Sequence, residues 1–92
     1  MRLDLFLKAS RLCPRRSVAQ KLCDAGLVSI NGAQAKSAHA VKVGDELTIR
    51  RVDRTTVVRV VAVPQSRQTS RADAGGLYEV LNEQRVEPGG PI

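Results

Sequence analysis

The chain has 92 residues, of which 42% are hydrophobic, enough to bury one modest core, so we expect one domain with a tail. Its 15 Lys and Arg residues outnumber 9 Asp and Glu residues, and the net charge of +6 favours a polyanionic partner such as nucleic acid. No stretch approaches the roughly 18 consecutive apolar residues of a membrane span, and the N-terminus lacks the apolar stretch of a signal peptide, so we expect a cytoplasmic protein without a membrane partner.

A first short helix is predicted between residues 2 and 11. Leu3, Phe6 and Leu7 recur at the spacing of one helical face. Pro14 then interrupts the chain, so we place a short connection at residues 12–16. The apolar stripe should pack on whatever layer follows.

A second helix is predicted to begin at Ser17. Ser17 and Gln20 have the spacing of a capping box, in which each side chain bonds the other residue's backbone amide. Gly26 supplies the left-handed residue that commonly ends a helix. The inner face of this helix is predicted to comprise Val18, Ala19, Leu22 and Cys23.

Strands follow the helices. Val28 and Ile30 alternate with a polar residue, and Asn31-Gly32 is a strong signal for a two-residue hairpin, so we assign these two residues to a structural turn. A third strand is predicted over residues 46–50 and a fourth, rich in β-branched residues, over residues 55–63. The sequence therefore predicts an α+β fold with two short helices packed on a small bent, mainly antiparallel sheet of about four strands.

The C-terminal part is predicted to lie outside the domain of residues 1–63. Residues 64–85 form an extension, in which Ser70 and Asp73 could cap a short helix that places Leu77 and Leu81 on one side. Residues 86–92 are rich in Pro and Gly, and we expect them to be a disordered tail.

Catalytic and metal sites are not expected. His39 is the only histidine and has no acid or nucleophile at a useful spacing. Cys13 and Cys23 lack the second pair of ligands that a zinc site needs, and a disulfide is not expected in a reducing cytosol. No Gly-rich phosphate-binding loop is present. We therefore expect a non-enzymatic protein without cofactor or metal.

Positive charge is concentrated in the two predicted helices. Arginine predominates there, and its planar guanidinium group suits bidentate contacts with phosphates. Phe6 lies on the buried stripe, so recognition should follow the shape and phosphates of structured RNA and not base stacking on a sheet. For each single residue the alternative is a solvated surface charge. The basic residues assigned to RNA binding are Arg2, Lys8, Arg11, Arg15, Arg16, Lys21 and, beyond the hairpin, Lys36.

Four segments, in this order, resemble the alpha-L RNA-binding domain found in a small-subunit ribosomal protein: Arg2-Leu-Asp-Leu-Phe-Leu, Arg15-Arg-Ser-Val-Ala-Gln, Gly26-Leu-Val-Ser-Ile-Asn-Gly and Val43-Gly-Asp-Glu-Leu. The resemblance covers about residues 1–63. It implies that two helices form the RNA-facing surface, with Arg2, Asp4, Arg16 and Lys21 in it. Asp4 is unusual on such a surface, but at a helix start a carboxylate interacts favourably with the helix dipole, and we expect it to orient Arg2 or Arg16. Leu5 stands where relatives often carry Lys, so we do not expect one of the family's phosphate contacts here.

Within that family, a short free-standing chain with Leu77-Tyr78 near its end is most similar to the members that act in bacterial ribosome-associated quality control. The resemblance implies a monomer that binds rRNA and tRNA on the obstructed large ribosomal subunit. There it would stabilise peptidyl-tRNA while a partner factor that recruits alanyl-tRNA adds a C-terminal alanine tail.

Other functions stay open. They are a heat-shock-type ribosome-recycling factor, a general module for binding structured RNA, and the detached RNA-binding domain of an enzyme such as a pseudouridine synthase. The last is disfavoured because Met1 begins directly on the domain, so we expect no missing catalytic domain. A basic membrane-surface protein would need a helix face with large aromatic residues, which this sequence lacks.

Overall fold

Two helices and five strands follow one another in a computed structural model that describes residues 1–64 and 75–85. All the strand pairs are antiparallel, and the strand order is β2-β1-β3-β4-β5. The predicted α+β class is confirmed, with one strand more than expected. None of the helices in these ranges is long and apolar enough to cross a membrane. The elements are α1 (Leu3–Ala9), α2 (Arg16–Asp24), β1 (Val28–Ile30), β2 (Ala33–Gln34), β3 (Glu46–Arg50), β4 (Arg54–Val60) and β5 (Tyr78–Arg85).

The core lies between the helices and one face of the sheet. The stripe predicted for α1 is fully buried, since Leu3, Phe6 and Leu7 are each 0% exposed. They join one hydrophobic cluster with inward-facing strand residues such as Leu47 and Val58. Alternation along β4 buries Val58 and Val60 and exposes the residue between them, as expected when one face of a strand packs on a core.

The start of α1 is held by a loop from much later in the chain. Arg2, its N-cap residue, provides no side-chain cap. Instead, the amide of Leu3 donates to the carbonyl oxygen of His39 at 2.8 Å, and the amide of Asp4 donates to that of Ser37 at 3.1 Å. These two bonds satisfy amides that have no partner within a helix, so backbone carbonyls replace the usual capping side chain.

The capping box predicted for α2 is wrong. The helix begins one residue earlier, at Arg16, and shows no side-chain cap hydrogen bond. The side-chain amide of Gln20 instead donates to the carboxylate of Asp4 at 2.9 Å. A buried carboxylate without hydrogen-bond donors costs more free energy than an uncapped helix terminus that water can reach. At the other end, Gly26 has the predicted left-handed conformation, with φ of 75°.

Asn31 and Gly32 form the two-residue turn between β1 and β2. Their φ angles are 52° and 84°, and the flanking residues Ile30 and Ala33 are paired. The Asn31 side chain also reaches β3: its oxygen accepts from the amide of Glu46 at 3.0 Å, and its nitrogen donates to Asp45 at 3.2 Å. The turn is thereby tied to the start of the third strand.

The helix predicted around Leu77 and Leu81 is wrong for the described residues. Leu77 is buried just before β5, and Leu81 lies within β5. The strand pairs with β4, where Val58 lies opposite Val80, and a register shift beside this pair accommodates Leu81. Sheet pairing along β4 therefore outweighed the helical spacing of the two leucines. Ser70 and Asp73 lie outside the described residues, as do residues 86–92.

Candidate nucleic-acid interface

A buried carboxylate lies at the centre of the two-helix surface. Asp4, in the first turn of α1, is 0% exposed. Its oxygens accept hydrogen bonds from the Nε atom of Arg2 at 3.2 Å and from the Nε atom of Arg16 at 3.0 Å. The Nη2 atom of Arg2 at 3.4 Å, the Gln20 amide at 2.9 Å and the Leu5 backbone amide at 2.8 Å also donate to them. One side chain thus connects the start of α1 to the first two turns of α2.

The surroundings of Asp4 keep it charged. Burial alone would raise the pKa of the Asp4 carboxyl, but hydrogen bonds from Gln20, Arg16 and the Leu5 amide, together with the charge of Arg16, lower the pKa below its ordinary value of 3.8. At neutral pH the carboxylate therefore carries its full negative charge and holds both arginines.

Both arginines remain open to solvent while they are held. The side chain of Arg2 is 44% exposed and that of Arg16 is 40% exposed. Arg16 contacts Asp4 through Nε, and within the described residues no other hydrogen bond engages its guanidinium group. Two oriented guanidinium groups thus present free N–H donors beside each other, which is the geometry that binds phosphate.

The other basic residues predicted to bind RNA are exposed, and in the described part of the chain no side-chain hydrogen bond joins them to this cluster. Lys8 lies on α1 and Lys21 on α2, while Arg15 precedes α2. Arg11, with φ of 65°, follows α1. Lys36 lines a depression of about 550 Å³ beside the end of α2.

Gln20 is the member of the cluster that the sequence reasoning missed. Its position four residues after Arg16 places both on one face of α2, so helical spacing could have indicated it. Asp4 was included, and the orienting role suggested for it corresponds to its contacts with Arg2 and Arg16.

The two cysteines are buried thiols. Burial raises the pKa of Cys13, although the Arg51 guanidinium opposes this. Burial and the nearby Asp4, Cys13 and Asp24 raise the pKa of Cys23 to about 11. Both thiols are therefore protonated at neutral pH and are poor nucleophiles.

Comparison with protein families decides how this arrangement is classified. The S4 domain model matches residues 1–47, the segment that contains α1, α2, the hairpin and the start of β3. The chain belongs to the S4-domain family. The resemblance predicted from the sequence is thereby confirmed.

This S4-domain chain has relatives that match it over almost its whole length. It is 42% identical over 87 residues to the RQC P-site tRNA stabilizing factor of Streptococcus pneumoniae, covering 95% of this chain and 97% of the relative. It is 43% identical over 86 residues to the protein of the same name from Bacillus subtilis, covering 94% and 98%. A heat shock protein 15 homolog from Haemophilus influenzae is 31% identical over 68 residues, covering 74% of this chain and 52% of the relative.

Solved structures show the same S4-domain architecture. Heat shock protein 15 from Vibrio cholerae, described as trimeric, superimposes with a TM-score of 0.77 at 30% identity, over 87% of this chain and 80% of the other. The solution structure of a hypothetical protein, HP1423, gives a TM-score of 0.78 at 28% identity, over 89% and 98%. The α+β arrangement of two helices on an antiparallel sheet is therefore shared with both.

Proposed function

We propose that this chain binds rRNA and tRNA on an obstructed large ribosomal subunit and stabilises the P-site peptidyl-tRNA during ribosome-associated quality control. A partner factor that recruits alanyl-tRNA would carry out C-terminal alanine tailing. Full-length relatives named RQC P-site tRNA stabilizing factor support this assignment. The observation that carries it is the pair of half-exposed arginines held by the buried Asp4.

The physical advantage of this pair is preorganisation. A free arginine on a surface loses rotamer freedom when it binds a phosphate, and that loss weakens binding. Arg2 and Arg16 are already restrained by Asp4, so less freedom remains to be lost. Asp4 thus promotes binding of a polyanion even though its own charge repels one.

Stabilisation of peptidyl-tRNA needs no catalytic group in this chain. A protein can stabilise bound tRNA simply by binding the tRNA-occupied subunit more tightly than the empty subunit. The difference between these two affinities sets how far the population shifts toward the occupied state. Basic side chains on two helices suffice for that task. We propose that the chain acts as a cytoplasmic monomer, which light scattering of the purified protein would test.

The test is binding to purified large subunits that carry peptidyl-tRNA, at one fixed salt concentration. Arg2→Ala and Arg16→Ala should each weaken binding by about tenfold or more, because a charge-assisted phosphate contact is lost. Arg59→Ala is the matched control: Arg59 lies on β4, is 52% exposed and points away from the core. Equal losses for Arg16→Ala and Arg59→Ala would mean that only net charge matters.

Ribosome recycling of the heat-shock type is the second candidate, because the Vibrio cholerae structure shares the fold. The same assay separates the two functions. Quality control predicts that adding the protein slows the release of peptidyl-tRNA from the P site. Recycling predicts that bound tRNA is released faster. A general RNA-binding module would bind short RNA hairpins as tightly as subunits.

A further inference from the structure

A groove of about 200 Å³ lies between the connection after α1 and strands β4 and β5. Three of its lining residues are arginines: Arg11 follows α1, and Arg51 and Arg54 flank the turn between β3 and β4. Tyr78 and Glu83 of β5 also line it. Three arginines and one glutamate therefore line a small concave site.

The hydrogen bonds of this groove are incomplete. Arg51 is anchored, because its Nη2 atom donates to the carbonyl oxygen of Leu12. Arg54 makes one long contact, 3.5 Å from its Nη1 atom to Glu83. The Nε atom of Arg54 is buried and has no hydrogen-bond partner among the described residues. Unpaired buried donors are uncommon in folded proteins, so Arg54 has binding capacity that the free protein does not use.

We propose that this groove binds one nucleotide of RNA, with a phosphate facing Arg51 and Arg54 and the base against the ring of Tyr78. The proposal rests on the proposed function, since it assumes that the partner is RNA. Arginine clusters favour phosphate, and a tyrosine ring offers a surface on which a base can stack. Arg11 also belongs to the set predicted from the helices, so the groove continues that surface toward the sheet.

The proposal gives Tyr78 a role in RNA recognition that the sequence analysis did not assign to it. Tyr78 is half-buried at the start of β5. The helix predicted for this segment gave no indication of where the Tyr78 ring would lie. The strand places it opposite Val60, beside the arginines and not on the helices. At about 200 Å³ the groove is smaller than typical pockets that enclose whole ligands, so a bound nucleotide would be only partly enclosed.

Two glutamates on β5 provide a matched test. Glu83 lines the groove and pairs with Arg54, whereas Glu79 pairs with Arg59 at 3.9 Å on the outward face. Glu83→Gln should tighten the binding of adenosine monophosphate by about threefold to fivefold, because a carboxylate beside the phosphate is removed. Glu79→Gln removes the same charge from the same strand and should change affinity by less than about twofold. Equal gains would overturn the proposal.

The measurement is a titration of the full-length protein, labelled with ¹⁵N, followed by NMR. Adenosine monophosphate should shift the Arg54 Nε–H and Tyr78 signals, and inorganic phosphate should shift Arg54 alone. Arg54→Gln should weaken nucleotide binding by about tenfold, with a melting curve to confirm folding. If hexaglutamate shifts Arg54 as strongly as the nucleotide does, the groove selects acidic peptides and the RNA proposal fails.

Failure of this proposal is distinguishable from failure of the proposed function. If Arg16→Ala loses subunit binding while nucleotide leaves the groove signals unchanged, the function stands and the groove proposal is wrong. If nucleotide binds the groove as expected but Arg16→Ala binds subunits like the unmodified protein, the groove stands and the two-arginine surface is wrong.

Discussion

The Nε atom of Arg16 lies 3.0 Å from an oxygen of Asp4, twelve residues earlier in the chain. This ion pair joins the two helices at their N-terminal ends and holds an exposed cation on a fully buried anion. Removing one partner of such a pair lowers the stability of the fold more than removing both, because the remaining group stays buried without a hydrogen-bond partner.

Asp4→Asn should weaken RNA binding although it makes the protein more positive. The neutral amide cannot accept equally well from Arg2, Arg16 and Gln20, so both arginines lose their orientation. We expect a loss of about 2 kcal/mol in the free energy of unfolding and weaker subunit binding. Asp24→Asn makes the same charge change at the exposed end of α2 and should spare both properties. Tighter binding by Asp4→Asn would show that Asp4 merely repels RNA.

Arg16→Lys should restore only part of the binding that Arg16→Ala loses. Lysine keeps the charge, but its ammonium group cannot hold Asp4 through one nitrogen while presenting others to a phosphate in a fixed plane. Subunit binding of the two variants, measured at several salt concentrations, gives the comparison. Full recovery of binding by Arg16→Lys would show that the contact depends on positive charge and not on the planar geometry of guanidinium.

Acid should destabilise the protein through Asp4. The pKa of this carboxyl is lower in the folded protein than its ordinary value of 3.8, so the unfolded state binds more protons between the two values. The stabilising contribution is therefore fully present above about pH 4 and is lost as the pH falls through the folded pKa. Urea unfolding from neutral pH to about pH 2 should show a steeper loss for the unmodified protein than for Asp4→Asn. Parallel curves would contradict this.

Gly32→Val should destabilise the hairpin by about 2 kcal/mol, because a β-branched residue resists positive φ. Gly32 has φ of 84°, and a Cβ atom there would meet nothing within 4 Å, so the cost comes from the backbone alone. Gly75→Val is the control, since a Cβ atom at Gly75 also meets nothing within 4 Å and its φ lies outside the left-handed region. Thermal melting of both variants tests this, and equal melting temperatures would refute it.

Local signals predicted the helices and the hairpin well. The buried stripe of α1 follows from the spacing of Leu3, Phe6 and Leu7, and the Asn31-Gly32 turn follows from two residues that tolerate positive φ. Such features depend on neighbours a few residues away, and short-range patterns describe them directly.

Long-range partners were not predictable in the same way. Gln20 has the spacing of a capping residue, but its partner is a carboxylate sixteen residues earlier. Leu77 and Leu81 have helical spacing, but their segment pairs with β4 and forms a strand. That sheet pairing also brings Tyr78 and Glu83 to the arginines of the groove. In each case the deciding contact lies far away in the sequence.

The attachment of α1 to the loop at residues 37–39 determines when, during synthesis, Arg2 and Asp4 reach their folded arrangement. A seven-residue helix is too short to persist alone, and its first amides reach carbonyl oxygens more than thirty residues later. During synthesis, Arg2 and Asp4 therefore leave the ribosome early but acquire their final arrangement only after the loop and the sheet behind it have emerged. A nascent chain of this protein should therefore gain the folded Arg2–Asp4 arrangement only once residue 39 has emerged.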